Sequence, residues 1–282
     1  MTSRSLLFVP GDQPAMLQKA ADCGADALIV DLEDAVAPAR KAVAREVTAA
    51  WLAESESFDF ECWVRVNGGT IMNDDLSEVG AVLHDGIMLP KAKTTADVST
   101  ALTALTAVAP SAGLIVLVET AGAIVAVNDI ARLPGVRRLM LGEIDLGAEL
   151  RMEFDVPAWD AIRVDVVVAS VAAGLEASIA GIDPDFSDPA RVEADTRRLA
   201  AMGFGGRAAI HPAQVAPINR AFTPTAEQVR KAADALARHE VALAAGIGAY
   251  TDDRGHMVDE ALLRRARRTL EAARRAGIDV PG

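Results

Sequence analysis

Glu119 closes the run "GLIVLVETAG" (113–122), a carboxylate placed directly after five apolar residues. Asp145 holds the same kind of place in "LMLGEIDLG" (139–147), and "ALIVDLEDA" (27–35) ends in Asp31, Glu33 and Asp34. Two carboxylates from neighbouring segment ends make an oxygen-only, water-filled site, the donor set that Mg2+ takes together with substrate oxygens. No Cys or His belongs to the set, which argues against zinc. Two cations end similar runs, Arg65 in "CWVRVN" (62–67) and Lys91 in "GIMLPK" (86–91). Asn67, Glu143, Asp183 and His211 sit at or just past such ends as well. Each carboxylate alone has a plainer reading as a cap for the following helix, where a negative charge is favoured. Caps do not need the repeated company of Arg65 and Lys91, so the set reads as a site.

Something must bring these ends together. Apolar runs of strand length recur at 5–10, 27–32, 62–67, 86–91, 113–120, 137–142, 177–182 and 206–211. Helical segments such as "QPAMLQKAADCG" and "DPARVEADTRRLAAMG" lie between them, ending at Gly24 and Gly203, as a left-handed cap prefers. Eight strands alternating with helices predict an α/β fold, a (β/α)8 TIM barrel, with an open doubly wound sheet as its rival. In a barrel the C-terminal strand ends share one mouth, which supplies the common cause for the charged endings. We place the barrel at 1–222 and a C-terminal helical and hairpin lid extension at 223–282. There, Thr225 caps an amphipathic helix, "IGAYTDDRGHMVDE" reads as a hairpin or lid, and "ALLRRARRTLEAARRAG" is a last basic helix.

Composition narrows the partners. With 51% hydrophobic residues but only 4% aromatic, the core must come from Ala, Val, Leu and Ile, which suits a helix-covered parallel sheet. A net charge of −12 leaves no basic excess for a nucleic-acid surface. Cys23 and Cys62 stand without metal-ligand spacing and read as apolar fillers of a reduced protein. The start, "MTSRSLLFVPGD", is too short in apolar residues for a signal core, and no tract is long enough to span a membrane, so a cytoplasmic location is expected.

The motifs "SRSLLFVPG", "DLEDAV", "VRVN", "MLPK", "LVETA", "GEIDL", "GFGGRAAIHPAQ" and "GHMVD" occur in this order from Arg4 to Asp259. Together they resemble the citrate lyase β-subunit-like branch of the HpcH/HpaI aldolase superfamily, which includes malyl-CoA and citramalyl-CoA lyases. The resemblance implies a trimeric or hexameric barrel that cleaves or forms a carbon–carbon bond beside an acyl-CoA. It makes Glu119 and Asp145 the ligands of Mg2+, with Mn2+ as a substitute, and gives Arg65 the keto-acid oxygen. It assigns Asp31, Glu33 and Asp34 to orienting metal waters and Arg65, and Asp259 to a lid carboxylate reaching a neighbouring subunit.

Such chemistry needs these residue types. Carbon–carbon cleavage places negative charge on an enolate oxygen and on a keto-acid carbonyl. A divalent ion and a planar guanidinium answer that need, and a carboxylate can move the α-proton. Asp259 has a plainer reading as the cap of the last helix. Lys91 is expected to neutralise the carboxylates, and His211 to be structural. Arg4, Lys41 and Arg207 are weaker candidates for CoA phosphates. Two positions depart from the pattern: Gly122 stands where many relatives have Arg after "ETA", and Arg207 where they have Lys. The expected function is a Mg2+-dependent lyase of a short β-hydroxyacyl-CoA such as malyl-CoA or citramalyl-CoA. Competing expectations are a citrate lyase β-subunit using an acyl-carrier thioester, an aldolase of free hydroxy keto acids, and a non-catalytic acyl-CoA-binding protein. The length and the tail favour an independent enzyme.

Overall fold

In the computed structural model, the described residues are 3–54, 58–154, 156–244, 250–251 and 257–280. Strands form where the apolar runs predict them: β1 (Ser5–Pro10), β2 (Ala27–Asp31), β3 (Glu61–Arg65), β4 (Gly86–Leu89), β5 (Gly113–Val118), β6 (Val136–Leu141), β7 (Ile179–Ala180) and β8 (Gly206–Ala209). All neighbours pair in parallel, and β8 returns to β1, so the sheet closes into an eight-stranded barrel. Closure excludes the open doubly wound sheet. Helices follow the strands, among them Lys41–Ala53, Thr95–Val108, Glu143–Leu150, Trp159–Ala172 and Pro189–Met202.

Strand periodicity explains how the barrel interior grades into the site. Residues two apart share a face, and the interior is filled by Leu6, Ala27, Ile29, Trp63, Ile115, Leu117, Met140 and their neighbours. Continuing each face by two residues toward the C-terminal end gives Phe8, Asp31, Arg65 and Glu119. The polar mouth is therefore the last layer of the apolar core, delivered by the same alternation. Cys62 faces the other way, wholly buried, and burial pushes its thiol well above the ordinary range, which fits an inert filler.

The chain divides into two compact units, Thr2–Asn219 and Arg220–Gly282. The second contains the helix Ala226–Ala244, a hairpin of β9 (Tyr250–Thr251) and β10 (Met257–Val258), and the helix Glu260–Arg275. Val229, Ala232, Ala266, Leu270 and Ala273 form its small core. Thr225 and Gln228 exchange side-chain to backbone hydrogen bonds at the start of the first of these helices, as the sequence predicts. Gly255 and His256 of "GHMVD" lie outside the described residues.

Candidate active site

Arg65 and Asp31 form the most completely bonded pair of the barrel mouth. Arg65 donates from Nε to Asp31 Oδ1 at 2.8 Å and from Nη2 to Oδ2 at 2.5 Å. Asp31 is 1% exposed, and the same two oxygens accept the backbone N–H groups of Glu33 and Ala35 at 2.8 and 3.0 Å. Asp31 thus folds its own loop while fixing the guanidinium, a bidentate geometry Lys could not copy. The guanidinium also lies over the Phe8 ring, 4.9 Å from its centroid. What remains for a ligand is Nη1, which stands 3.1 Å from Glu33 Oε2 and 3.8 Å from Asp34. Burial pulls Arg65 down, but the bond and charge of Asp31 outweigh it, so the group is held above its ordinary value.

The loop after β2 is braced from below. Lys41 Nζ donates to the carbonyls of Leu32 and Glu33 at 2.7 and 2.5 Å, and Asn67 Nδ2 donates to Leu32 at 2.9 Å. Asn67 is held in turn by the buried Asp75, 2.8 Å away. Lys91 reaches in from the β4 end, its Nζ 2.5 Å from Glu33 and 3.0 Å from Asp34. Burial pushes Glu33 up despite these cations, whereas in Asp34 the Lys91 bond and the nearby positive charges overcome burial and hold it low. Lys91, partly desolvated, is still held above its ordinary value by the two carboxylates. That favours the neutralising role over a Schiff-base role, which needs an unprotonated amine.

Lys91 also adopts φ 55°, a left-handed conformation rare outside glycine, and its N–H donates to Glu119 Oε1 at 2.7 Å. Backbone strain of about 1–3 kcal/mol is thereby tied to the carboxylate's position. Glu119 is 2% exposed, and no ion pair to it or to Asp145 occurs among the described residues. Burial first, then the charges of Asp145 and Glu33, push Glu119 up to about 8. Asp145 lies in the first turn of Glu143–Leu150 rather than on the strand itself, and it is exposed. Both residues line a pocket of ≈ 270 Å³ together with Phe8, Asp31, Arg65, Leu117 and Met140. A buried carboxylate without a counter-ion, beside a second carboxylate, fits a divalent cation that would complete its shell with waters and substrate oxygens.

Other candidates have different positions. Arg4 precedes β1 and pairs with Asp26 at 2.7 Å, at the strand N-termini, so it stands at the barrel end opposite the mouth. Arg207 on β8 is 4% exposed and spends its donors on Gly181, Thr196 and Asp195, under the helix Pro189–Met202. Neither can serve CoA phosphates from there, and Lys41 is engaged by the loop carbonyls. His211 caps the turn Pro212–Gln214, accepting from Ala213 N–H at 3.1 Å, and stacks on Phe186. Asp183 pairs with Arg191 at 2.8 Å. Asp259 caps Glu260–Arg275, its Oδ1 accepting from Ala261 and Leu262 at 3.0 Å each. At Gly122, an added Cβ would stand 2.8 Å from the carbonyl oxygen of Lys93, so no side chain fits this backbone. Sequence reasoning missed the Phe8 platform and Arg163, whose Nε donates to Glu143 at 2.6 Å. The signal for Arg163 was its spacing with Trp159, Val166 and Ser170 on the buried helix face.

Comparisons with known proteins agree with the barrel fold. The family model described as HpcH/HpaI aldolase/citrate lyase matches residues 4–212. A (3S)-malyl-CoA thioesterase of Cereibacter sphaeroides is 32% identical over 274 residues, covering 96% of this chain and 94% of the relative. An L-malyl-CoA/beta-methylmalyl-CoA lyase of Rhodobacter capsulatus is 33% identical, covering 98% and 96%. Among solved structures, the Mycobacterium tuberculosis protein CitE in complex with magnesium, acetoacetate and coenzyme A superposes with a TM-score of 0.80 at 29% identity, over 96% of this chain and 98% of that one. With a match across the barrel and relatives aligned over almost their whole length, the chain belongs to the HpcH/HpaI aldolase/citrate lyase family.

Proposed function

We propose that the protein is a Mg2+-dependent carbon–carbon lyase that cleaves or forms a short β-hydroxyacyl-CoA, with malyl-CoA and citramalyl-CoA as the leading substrates. The observation that carries this is the pair of uncompensated carboxylates, Glu119 and Asp145, sharing a pocket with the Asp31-locked fork of Arg65. The lyase relatives and the magnesium- and CoA-bound neighbour support it. Glu119 and Asp145 would hold Mg2+, which would supply a Lewis acid for the oxygens of a 2-keto acid. Arg65 donates from Nη1 to the carbonyl oxygen where charge develops, already oriented by Asp31 and so with little reorganisation. Lys91 balances Glu33 and Asp34, and Phe8, Leu117 and Met140 keep the keto-acid side of the pocket dry.

The test is a panel of acyl-CoA thioesters with glyoxylate, pyruvate and oxaloacetate, run with and without Mg2+. Metal-dependent interconversion of acetyl-CoA plus a keto acid with the hydroxyacyl-CoA is expected. Release of free CoA without carbon–carbon cleavage would instead favour the thioesterase reading that one relative carries. If no thioester changes at all, the lyase assignment fails.

For the proton on the acyl-CoA α-carbon we assign Asp259, following the "GHMVD" resemblance. Its Oδ2 takes no hydrogen bond among the described residues, so capping does not use up the carboxylate. Asp259→Ala is expected to slow exchange of the acetyl-CoA methyl protons into deuterated water by about 10²–10⁴-fold while Mg2+ affinity stays unchanged. Undiminished exchange removes Asp259 from this role. We also assign the enzyme to a cytoplasmic homo-oligomer, trimer or hexamer. Val164, Val168 and Val171 leave an exposed apolar stripe on Trp159–Ala172, a face that self-association would cover. A monomeric mass by light scattering would end that assignment. No helix among the described residues is long and apolar enough to cross a membrane.

A further inference from the structure

Glu143 lines the same pocket, yet nothing in the reaction described above uses it. Its Oε1 accepts from Arg163 Nε at 2.6 Å, while Oε2 takes no hydrogen bond among the described residues. Arg163 is 6% exposed and does not line the pocket, so it stands behind the carboxylate as seen from a ligand. The guanidinium also serves a second carboxylate, donating from Nη1 to Asp160 at 3.0 Å, which leaves Glu143 only partly neutralised. Gly181 flanks Glu143: an added Cβ there would lie in ordinary contact with Oε2, at 3.5 Å, but only 2.9 Å from the Leu141 carbonyl oxygen. Beside the charged groups of the site, the same pocket is lined by the apolar Phe8, Leu117, Met140 and Ile182.

We propose that Glu143, held by Arg163, is a specificity-determining residue that admits 2-keto acids bearing hydrogen or methyl and turns away those bearing a second carboxylate. The inference rests on the lyase reading and sharpens it. A monoanionic keto acid spends its one carboxylate on the cation site and lays its substituent against the apolar wall. A dianionic keto acid must bring its second charge into a pocket of ≈ 270 Å³ that already holds an unshared carboxylate oxygen. Like charges confined to one small pocket repel, and more so once a bound substrate has displaced its water. Rejection by an unfavourable contact discriminates better than an apolar pocket alone, which separates hydrogen from methyl only weakly.

The experiment measures kcat/KM for glyoxylate, pyruvate and oxaloacetate with acetyl-CoA. Calorimetric binding of the three keto acids to the Mg2+-loaded protein gives a second readout. Both are run on the wild type, on Glu143→Gln, and on Asp129→Asn as a control for net charge, since Asp129 is an exposed residue on the helix Val127–Ala131. Gln keeps the acceptor for Arg163, and Asp160 still pairs with that guanidinium. The wild type is expected to prefer pyruvate to oxaloacetate by roughly tenfold or more, and Glu143→Gln to raise the oxaloacetate-to-pyruvate ratio by roughly tenfold in both readouts. The control is expected to leave the ratio alone. Equal wild-type preference for the two acids overturns the proposal whatever the variant does. An unshifted ratio in Glu143→Gln, or an equal shift in the control, overturns it while leaving the lyase reading intact. Failure of every keto acid to bind or react removes both.

Discussion

Glu119→Gln is expected to lower Mg2+-dependent turnover by at least about 10³-fold while leaving the barrel folded. Gln keeps the size of the side chain and an acceptor for the Lys91 N–H, so the local backbone bond survives. What it loses is the charge that a cation must find. The same substitution has a signature in the metal-free protein that does not depend on catalysis. Burial, reinforced by Asp145 and Glu33, pushes Glu119 from the ordinary 4.5 up to about 8. The folded state therefore keeps this proton across a range in which the unfolded chain has released it. Linkage then makes the stabilising contribution fully present below about pH 4.5 and lost as the pH rises to about 8. Urea midpoints of the metal-free wild type are expected to fall through that window relative to Glu119→Gln. Mg2+ must displace the same proton, so its apparent affinity rises with pH until about 8. Asp145→Asn is expected to abolish turnover to a similar extent and to shrink the pH slope, because one of the charges raising Glu119 is gone. Wild-type turnover in either variant, or superimposable urea-against-pH curves for wild type and Glu119→Gln, would remove Glu119 from the metal role.

Asp31→Asn is expected to reduce kcat by about 10–100-fold and to raise the KM for the keto acid, with Mg2+ affinity little changed. Arg65→Lys goes further, to about 10²–10³-fold in kcat, because one ammonium replaces a planar fork already held at two points. In Asp31→Asn an amide N–H group must face the Arg65 donors, and the mostly buried guanidinium loses the carboxylate that holds it at two points, keeping only Glu33 and Asp34 at Nη1. Breaking such a pair costs about 3 kcal/mol, so a lower urea midpoint accompanies the kinetic loss. The kinetic pattern separates positioning from mere loosening: a purely structural Asp31 would lower the amount of active enzyme and leave the KM for the keto acid unchanged. Titrating active sites before measuring kcat makes that distinction.

Much of this is legible in the sequence. The eight apolar runs predicted the eight strands, with β1 matching 5–10 at both ends. Runs read two residues too long, such as 113–120, extend into the loop because Glu119 and Thr120 continue the extended chain past the last ladder bond. β7 is only Ile179–Ala180, with Ile179 in register with β6 and both residues in register with β8. The cations nominated for CoA were less legible. Arg4 and Arg207 look like surface charges in the sequence, but one is bound at the far end of the barrel and the other lies beneath a helix. Charge type carries no information about which end of a strand, or which side of the sheet, a residue will occupy.

By itself the sequence determined the strand–helix alternation, the parity that sends Asp31, Arg65 and Glu119 to one inner face, and the chemistry those side chains can perform. These are local properties, set by period-two alternation and by residue type. Tertiary structure alone decided which charges neutralise one another: Asp31 with Arg65, Lys91 with Glu33 and Asp34, and Glu143 with Arg163 from a helix twenty residues on. It also decided which charges stay without an ion-pair partner among the described residues, Glu119 and Asp145 above all. Ion pairing depends on distance across the closed barrel, and closure joins residues that no sequence spacing relates.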